Sequence, residues 1–188
     1  AEWQKKKMEL KEKIVSSYVA FENDVDLNSE IHDIRSEAFH NFEKLGFPTK
    51  KLEEWKYTSL NAVLKNDFSI FPNKENTIEF ADVKKYFIHD IDTYKIVFID
   101  GKYSSFLSDT THDGKDVCLM SSALSKSKYK IVIENYFNKI AKQDNLTSLN
   151  TAFANEGAYI YIPKNVEVEK PIQIINFTTG NDTATMVQ

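Results

Sequence analysis

At 188 residues, with 24 basic and 28 acidic side chains and a formal charge of −4, the chain is long enough for one domain, or one and a half, around an apolar core. That balance argues against nucleic acid as an obligate partner, which would need a clustered basic surface. The single cysteine, Cys118, excludes an internal disulfide and fits a reducing compartment. No run approaches the roughly 18 apolar residues of a membrane span, and AEWQKKKMELKEK at the start holds no apolar signal region, so a soluble, cytoplasmic protein is expected.

Residues 3–21 read as an amphipathic helix, with Trp3, Leu10, Ile14, Tyr18 and Phe21 at helical spacing on one side. After the polar break ENDVDLNS, a second helix places Ile31, Ile34, Ala38, Phe42 and Leu45 on one stripe; Gly46 stops it and Pro48 prevents its continuation. The segment GFPTKKLEEWKYTSL then gathers Phe47, Trp55, Tyr57 and Leu60 around a proline turn. Aromatic residues mostly occupy cores and interfaces, so this segment is expected to be a buried plug that locks the helices onto the next layer rather than the alternative, a ligand-stacking platform. Residues 61–76 look irregular. A short helix is expected through Phe80, Val83 and Phe87.

YKIVFIDGKYSSFLS carries the clearest local signal: two β-rich runs flank Asp100-Gly101, a dipeptide that accepts positive φ in a two-residue hairpin turn. A strand is expected over Val117 to Met120. A helix from Tyr129 to Ala141 would bury Tyr129, Val132, Ile133, Tyr136, Phe137 and Ile140, and a short helical stretch runs through Leu149, Ala152 and Phe153. After Gly157, short apolar-polar alternations recur between turns: Ala158, Ile160 and Ile162 on one strand face, Val166 and Val168 alternating with Glu167 and Glu169, Ile172 and Ile174 flanking Gln173, and finally Thr183 to Val187. Strands this short cannot bury a face alone and need stacked neighbours. The pattern predicts an α+β chain. An N-terminal domain spans 1–155, mostly helical with a hairpin at 95–107, and 156–188 forms the first rungs of an incomplete β-solenoid.

Candidate chemistry is sparse. His32 and His40 lie eight residues apart on one helix, about 80° around its axis and two turns distant, a poor geometry for one zinc ion. His89 and His112 sit near Asp90, Asp92 and Asp113 in loops expected to be exposed. Cys118 in VCLM reads as a buried core thiol. Glu53 and Glu54 are adjacent rather than facing, with Lys50, Lys51 and Lys56 around them, which reads as a solvated surface. Lys126, Lys128 and Lys130, with Lys139 and Lys142, form a basic patch that suits an ordinary wet helix face ahead of the alternative, contact with an acidic partner. No phosphate-binding glycine loop, dinucleotide fingerprint or nucleophile elbow is present. The expected inventory of catalytic, cofactor-binding and metal residues is therefore none.

The helix ending Arg35, Ala38, Phe42, Leu45-Gly46-Phe47-Pro48-Thr49, followed by Glu53-Glu54-Trp55-Lys56-Tyr57-Thr58, resembles the N-terminal signature of the SufD-type subunits of the SUF iron–sulfur cluster assembly system. Two further blocks match in order. One is Ile96-Val97-Phe98-Ile99-Asp100-Gly101 with Leu107-Ser108. The other runs from Leu149-Asn150-Thr151-Ala152-Phe153 through Gly157, Ile162-Pro163 and Pro171-Ile172. The resemblance implies an N-terminal mostly helical domain, a central right-handed parallel β-helix and a C-terminal helical domain, here cut short. It also implies a non-catalytic scaffold that pairs with a SufB-like paralogue and is bound by a SufC-like ATPase. The family's assembly residues lie in the later parts, so none is carried onto this chain and no cofactor is expected in this segment. An open solenoid edge is a route to homodimers.

Two other functions compete. A carbohydrate-active β-helix enzyme would need clustered carboxylates; Glu167 and Glu169 share a face, but the neighbouring rung offers only Gln173. A stand-alone interaction module would instead expose the aromatic block at 47–60.

Overall fold

A computed structural model describes residues 9–25, 30–70, 78–109, 116–154, 156–179 and 185–186. Helices and strands are both present, so the chain is α+β. It gathers into two compact units, each assembled from separate stretches. The first draws on Ala1–Ile70, Glu134–Ala154 and Asp182–Met186; the second draws on Phe71–Ile133, Asn155–Asn181 and Val187–Gln188.

In the first unit, α1 (Leu10–Glu22) buries Leu10, Ile14 and Tyr18, the stripe its spacing predicts. The expected start at residue 3, including Trp3, lies outside the described residues. Helix α2 (Glu30–Leu45) buries Ile31, Arg35, Ala38 and Phe42. Gly46 follows at φ +63°, and its N–H donates to the Phe42 carbonyl at 2.7 Å, so the predicted glycine stop is a left-handed C-cap. Leu45, expected on the buried stripe, is 52% exposed, because the apolar arc closes one turn earlier at Phe42.

The region expected to be irregular contains a short helix, α3 (Asn61–Leu64), and a two-residue strand, β1 (Ser69–Ile70). Lys13 ties α1 to this region, pairing with Asp67 at 3.0 Å and donating to the Phe68 carbonyl.

Helix α7 (Asn145–Ala152) opens on Asp144, whose carboxylate accepts from the N–H groups of Leu146 and Thr147 at 2.9 and 2.8 Å, a strong N-cap. Those bonds, Thr147 first, hold the Asp144 carboxyl below its usual range. Helix α7 packs on α2, and both helices carry small, fully buried groups, Ala38 on α2 and Ser148 and Ala152 on α7. Polar contacts fasten the pair. Arg35 Nε donates to the Ala154 carbonyl, Asn41 Nδ2 to Gln143 Oε1 at 3.1 Å, and Asn145 Nδ2 to the Gly46 carbonyl at 2.8 Å. The first and third join opposite ends, so the helices run antiparallel. Tyr18 stacks on Phe39 at 3.8 Å between ring centres and meets Phe153 edge-on at 5.6 Å. Burial pushes the Tyr18 phenol up to about 12, with Glu22 adding to the rise and Arg35 opposing it.

In the second unit, α4 (Phe80–Val83) and a 3-10 turn (Lys84–Tyr86) precede β2 (Tyr94–Ile99). The Asp100-Gly101 turn has φ values of 50° and 79° and leads into β3 (Lys102–Tyr103), as predicted for a primed hairpin turn. The second β-rich run shortens to those two residues. Beyond them the chain turns, and side chains take over the edge of β2: Ser108 Oγ accepts from Val97 N–H at 2.9 Å and Asp109 Oδ2 from Lys95 N–H at 2.7 Å. The backbone groups of β2 are thereby satisfied without a full partner strand.

Strand β4 (Asp116–Leu119) matches the expected strand, but Met120 already starts a helix that sequence reasoning missed, α5 (Met120–Leu124). Helix α6 (Ser127–Tyr136) ends before the expected Ala141, because Asn138 adopts φ 57° and breaks it. Tyr136 and Ile140, placed on its buried stripe by periodicity, are consequently exposed, Ile140 at 83%.

Three strands follow Gly157: β5 (Ala158–Tyr161), β6 (Ile172–Phe177) and β7 (Thr185–Met186). They do not stack on one another as successive rungs. Strand β5 pairs antiparallel with β4, β6 pairs parallel with β2, and β7 pairs parallel with β1 in the first unit. No strand forms over Val166 to Val168, which follow a turn at Lys164 and Asn165. The sheet carrying β6 has the order β3-β2-β6. Its core is Val83, Phe87, Val97, Ile99 and Leu107, with Ile175 and Phe177 packed against it.

Asn145→Ala is expected to destabilise the chain by about 1–3 kcal/mol, because it strands the buried Gly46 carbonyl; a urea titration checks this, and an unchanged midpoint would refute it. Glu156 supplies a pH-dependent case. Burial raises its carboxyl above 4.5 and outweighs the bonds it accepts from Gly157 and Ser121. The folded form therefore holds its proton more tightly than the unfolded chain, and stability falls as pH rises from about 4.5 through the folded value. Glu156→Gln is expected to match the parent at lower pH and to exceed it above that window by less than about 1 kcal/mol, since the group is only half-buried. Parallel unfolding curves at both ends of the pH range are the check.

Candidate interaction surface

The segment expected to be a buried plug lies mostly on the surface of its unit. After Pro48 the backbone proceeds by three-residue turns: Leu52 N–H donates to the Thr49 carbonyl, Trp55 to Leu52 and Thr58 to Trp55, at 2.9–3.0 Å. Within them Glu53–Trp55 is a 3-10 turn. Such tight turns are narrow, so only part of the segment faces inward. Pro48 is buried and Phe47, Trp55 and Leu60 are half-buried, whereas Leu52 and Val63 are exposed and Tyr57 is 88% exposed. Lys56 pairs with Glu53, and its ammonium lies 5.1 Å from the centre of the Tyr57 ring. Glu53 and Glu54 are solvated, as their sequence setting suggests.

The other singled-out residues do not converge. In the first unit His32 Nε2 is 3.9 Å from Glu22, and His40 Nδ1 contacts the Ser36 carbonyl at 2.7 Å. In the second unit His89 is exposed; His112 lies outside the described residues. Cys118 occupies the expected strand but is only half-buried. Its strand lines a cavity of about 130 Å³ together with Ile96, Tyr103, Asp109 and Ala158. Lys126, Lys128 and Lys130 are exposed. The ammonium groups of Lys126 and Lys128 sit 5.6 and 4.9 Å from the Tyr129 ring centre, and Lys128 is also 5.5 Å from that of Tyr161. Lys139 and Lys142 are exposed in the first unit. Glu167 and Glu169 are exposed on a segment with no strand to give them a common sheet face, and Gln173 instead accepts from Thr93 Oγ1 at 3.2 Å.

Sequence reasoning missed three residues with defined polar roles: Arg35 at the end of α7, Asn145 at the end of α2, and Asp100 beyond its turn. Their signal is nonlocal, since each bonds a residue 79 to 119 positions away. Among the described residues no helix is long and apolar enough to cross a membrane.

The model for the SufBD protein N-terminal region matches residues 8–174. An iron–sulfur cluster assembly SufBD family protein of Synechocystis is 27% identical over 145 residues, covering 77% of this chain and 32% of the relative. The iron–sulfur cluster assembly protein SufD of Bacillus subtilis is 36% identical over 73 residues, covering 37% of this chain and 17% of the relative. That of Escherichia coli is 23% identical over 145 residues, covering 73% and 29%. The chain thus spans about a third or less of the length of these relatives. The matched span covers both units, from α1 into β6, and on that ground the chain belongs to the SufBD family, whose N-terminal region it carries.

Proposed function

We propose that this chain is the N-terminal portion of a scaffold subunit in iron–sulfur cluster assembly, with no catalytic chemistry of its own. The observation that carries the reading is the family match over residues 8–174, supported by relatives named for cluster assembly. In this reading the longer protein pairs with a SufB-like paralogue, is bound by a SufC-like ATPase, and works in the cytoplasm. Residues 156–188 then lead from the N-terminal domain into a right-handed parallel β-helix. The parallel pairing of β6 with β2 supports that onset, because parallel ladders are the hydrogen-bond pattern a β-helix propagates. A homodimer through an open strand edge belongs to the same reading.

A second role is favoured by one observation, the exposure of Tyr57. A large aromatic ring held out beside Lys56, with Leu52 and Val63 also exposed, has the composition of an interaction face. This role is compatible with the scaffold reading and places one contact of the N-terminal unit at residues 52–63.

The native protein carrying this chain, tagged at its own locus, is expected to co-purify with a second SufBD-type subunit and an ATPase. Its depletion is expected to lower the activity of iron–sulfur enzymes. Unimpaired iron–sulfur enzymes after depletion would overturn the scaffold reading. Tyr57→Ser is expected to leave the urea midpoint within about 0.5 kcal/mol, as for other surface changes, while weakening partner recovery roughly tenfold if Tyr57 is a contact anchor. Full recovery would remove the second role and leave the first intact.

A further inference from the structure

We propose that Asp100 is a register lock for the parallel strand β6, a task separate from its place in the hairpin turn. Its backbone N–H donates to the Phe177 carbonyl at 2.8 Å. Its carboxylate accepts from the Thr179 N–H at 2.8 Å and from the Thr179 hydroxyl. One residue thus grips the last residue of β6 and the residue two beyond it. A hairpin turn requires only that Asp100 tolerate positive φ, which Asn or Gly does equally well; the carboxylate has no part in it.

The other end of β6 is fastened by different means. Tyr94 N–H donates to the Pro171 carbonyl at 2.9 Å, Lys170 pairs with Asp92 at 2.5 Å, and Thr93 reaches Gln173. The Asp92–Lys170 pair is exposed, and such pairs hold little. The Asp100 contacts are part-buried and include charge-assisted bonds, which are the stronger kind.

Register matters here because a one-residue slip inverts the strand. In the observed register Ile175 and Phe177 face the core of Val83, Phe87, Val97, Ile99 and Leu107. A slip would move Thr179 by about 3.3 Å and turn both side chains away from that core. It would also reverse the backbone. The bonds from Tyr94 to Pro171 and from Asp100 to Phe177 show that the odd-numbered residues of β6 point their N–H and C=O groups at β2. Those of Ile172, Ile174 and Asn176 therefore point to the opposite side, where no strand lies among the described residues. Asp100 determines which set of backbone groups that side presents. This inference does not depend on the cluster-assembly reading.

Amide hydrogen exchange on the whole chain separates the lock from the turn. Asp100→Gly keeps a hairpin-competent Gly-Gly turn but removes the carboxylate; Thr179→Val removes one of its partners. Both are expected to lower protection of the Ile175 and Phe177 amides, about tenfold for the glycine variant. The Ser104 amide, which bonds Val97 across the hairpin at 2.8 Å, should keep its protection. The double variant should be no worse than Asp100→Gly alone, because both changes act on one contact. Thr179→Ser, which retains the hydroxyl, should behave as the parent, and it keeps the comparison possible if the glycine variant does not fold. Equal loss at Ser104, additive effects, or unchanged protection in β6 would each overturn the lock.

Discussion

The parallel ladder between Tyr94–Ile99 and Ile172–Phe177 is the contact on which the second unit depends. It joins strands separated by roughly 70 residues, and closing a flexible loop of that length costs about 4 kcal/mol in chain entropy before any contact is made. Burying Ile175 and Phe177 against the existing apolar cluster offsets this, at about 1.5–3 kcal/mol for each fully buried side chain and less here, where both stay partly accessible. The two terms are of similar size, and the backbone bonds of the ladder and the polar contacts at the strand ends add to the favourable side. The intervening chain is not idle: it contributes β4, α5 and most of α6 to the same unit, and Glu134–Ala154 to the first. Each unit is therefore completed only when a distant segment returns to it.

The first unit repeats the arrangement with helices. Helix α7 comes from about a hundred residues beyond α2, and the pair is held by packing of small groups plus side-chain bonds to backbone or amide oxygens. Small buried groups such as Ala38 and Ala152 supply little apolar area. The aromatic cluster of Tyr18, Phe39 and Phe153 adds that area, and the bonds from Arg35 and Asn145 fix where along each other the helices stop.

Features governed by a few neighbouring residues were legible in the sequence. Gly46 after an apolar stripe predicts the left-handed cap, and Asp100-Gly101 predicts the positive φ pair, because each reflects local backbone sterics. The stop at Asn138 was legible on the same principle, since asparagine tolerates the left-handed region, but the periodicity of Tyr136, Phe137 and Ile140 outweighed it. Strand partners were not legible. The alternations after Gly157 locate β5 and β6 but carry no information about which earlier strand receives each, so a stack of consecutive rungs was the simplest reading. The actual pairing reaches back to β4 and β2. The buried-plug expectation for residues 46–60 held only in part, for a related reason: Pro48 is buried and Phe47, Trp55 and Leu60 are half-buried, but Tyr57 is not. Aromatic content records what a side chain gains if buried, whereas a run of three-residue turns limits how many of them face inward.

The blocks on which the family resemblance rests sort by physical task once the fold is known. Ala38, Phe42, Leu107 and Phe153 are buried apolar groups; Arg35, Gly46, Asp100 and Ser108 satisfy or shape backbone. Removing any of these would disturb packing or hydrogen bonding inside a unit, which explains their place in a signature without reference to a ligand. Tyr57 does not fit that account. It buries little, and among the described residues no backbone bond in the segment needs its side chain and its ring meets only the ammonium of Lys56, which already pairs with Glu53. An exposed cation–ring contact contributes about 0.5–1 kcal/mol, too little to specify a fold. Within these blocks Tyr57 is thus a large side chain whose position the fold does not account for.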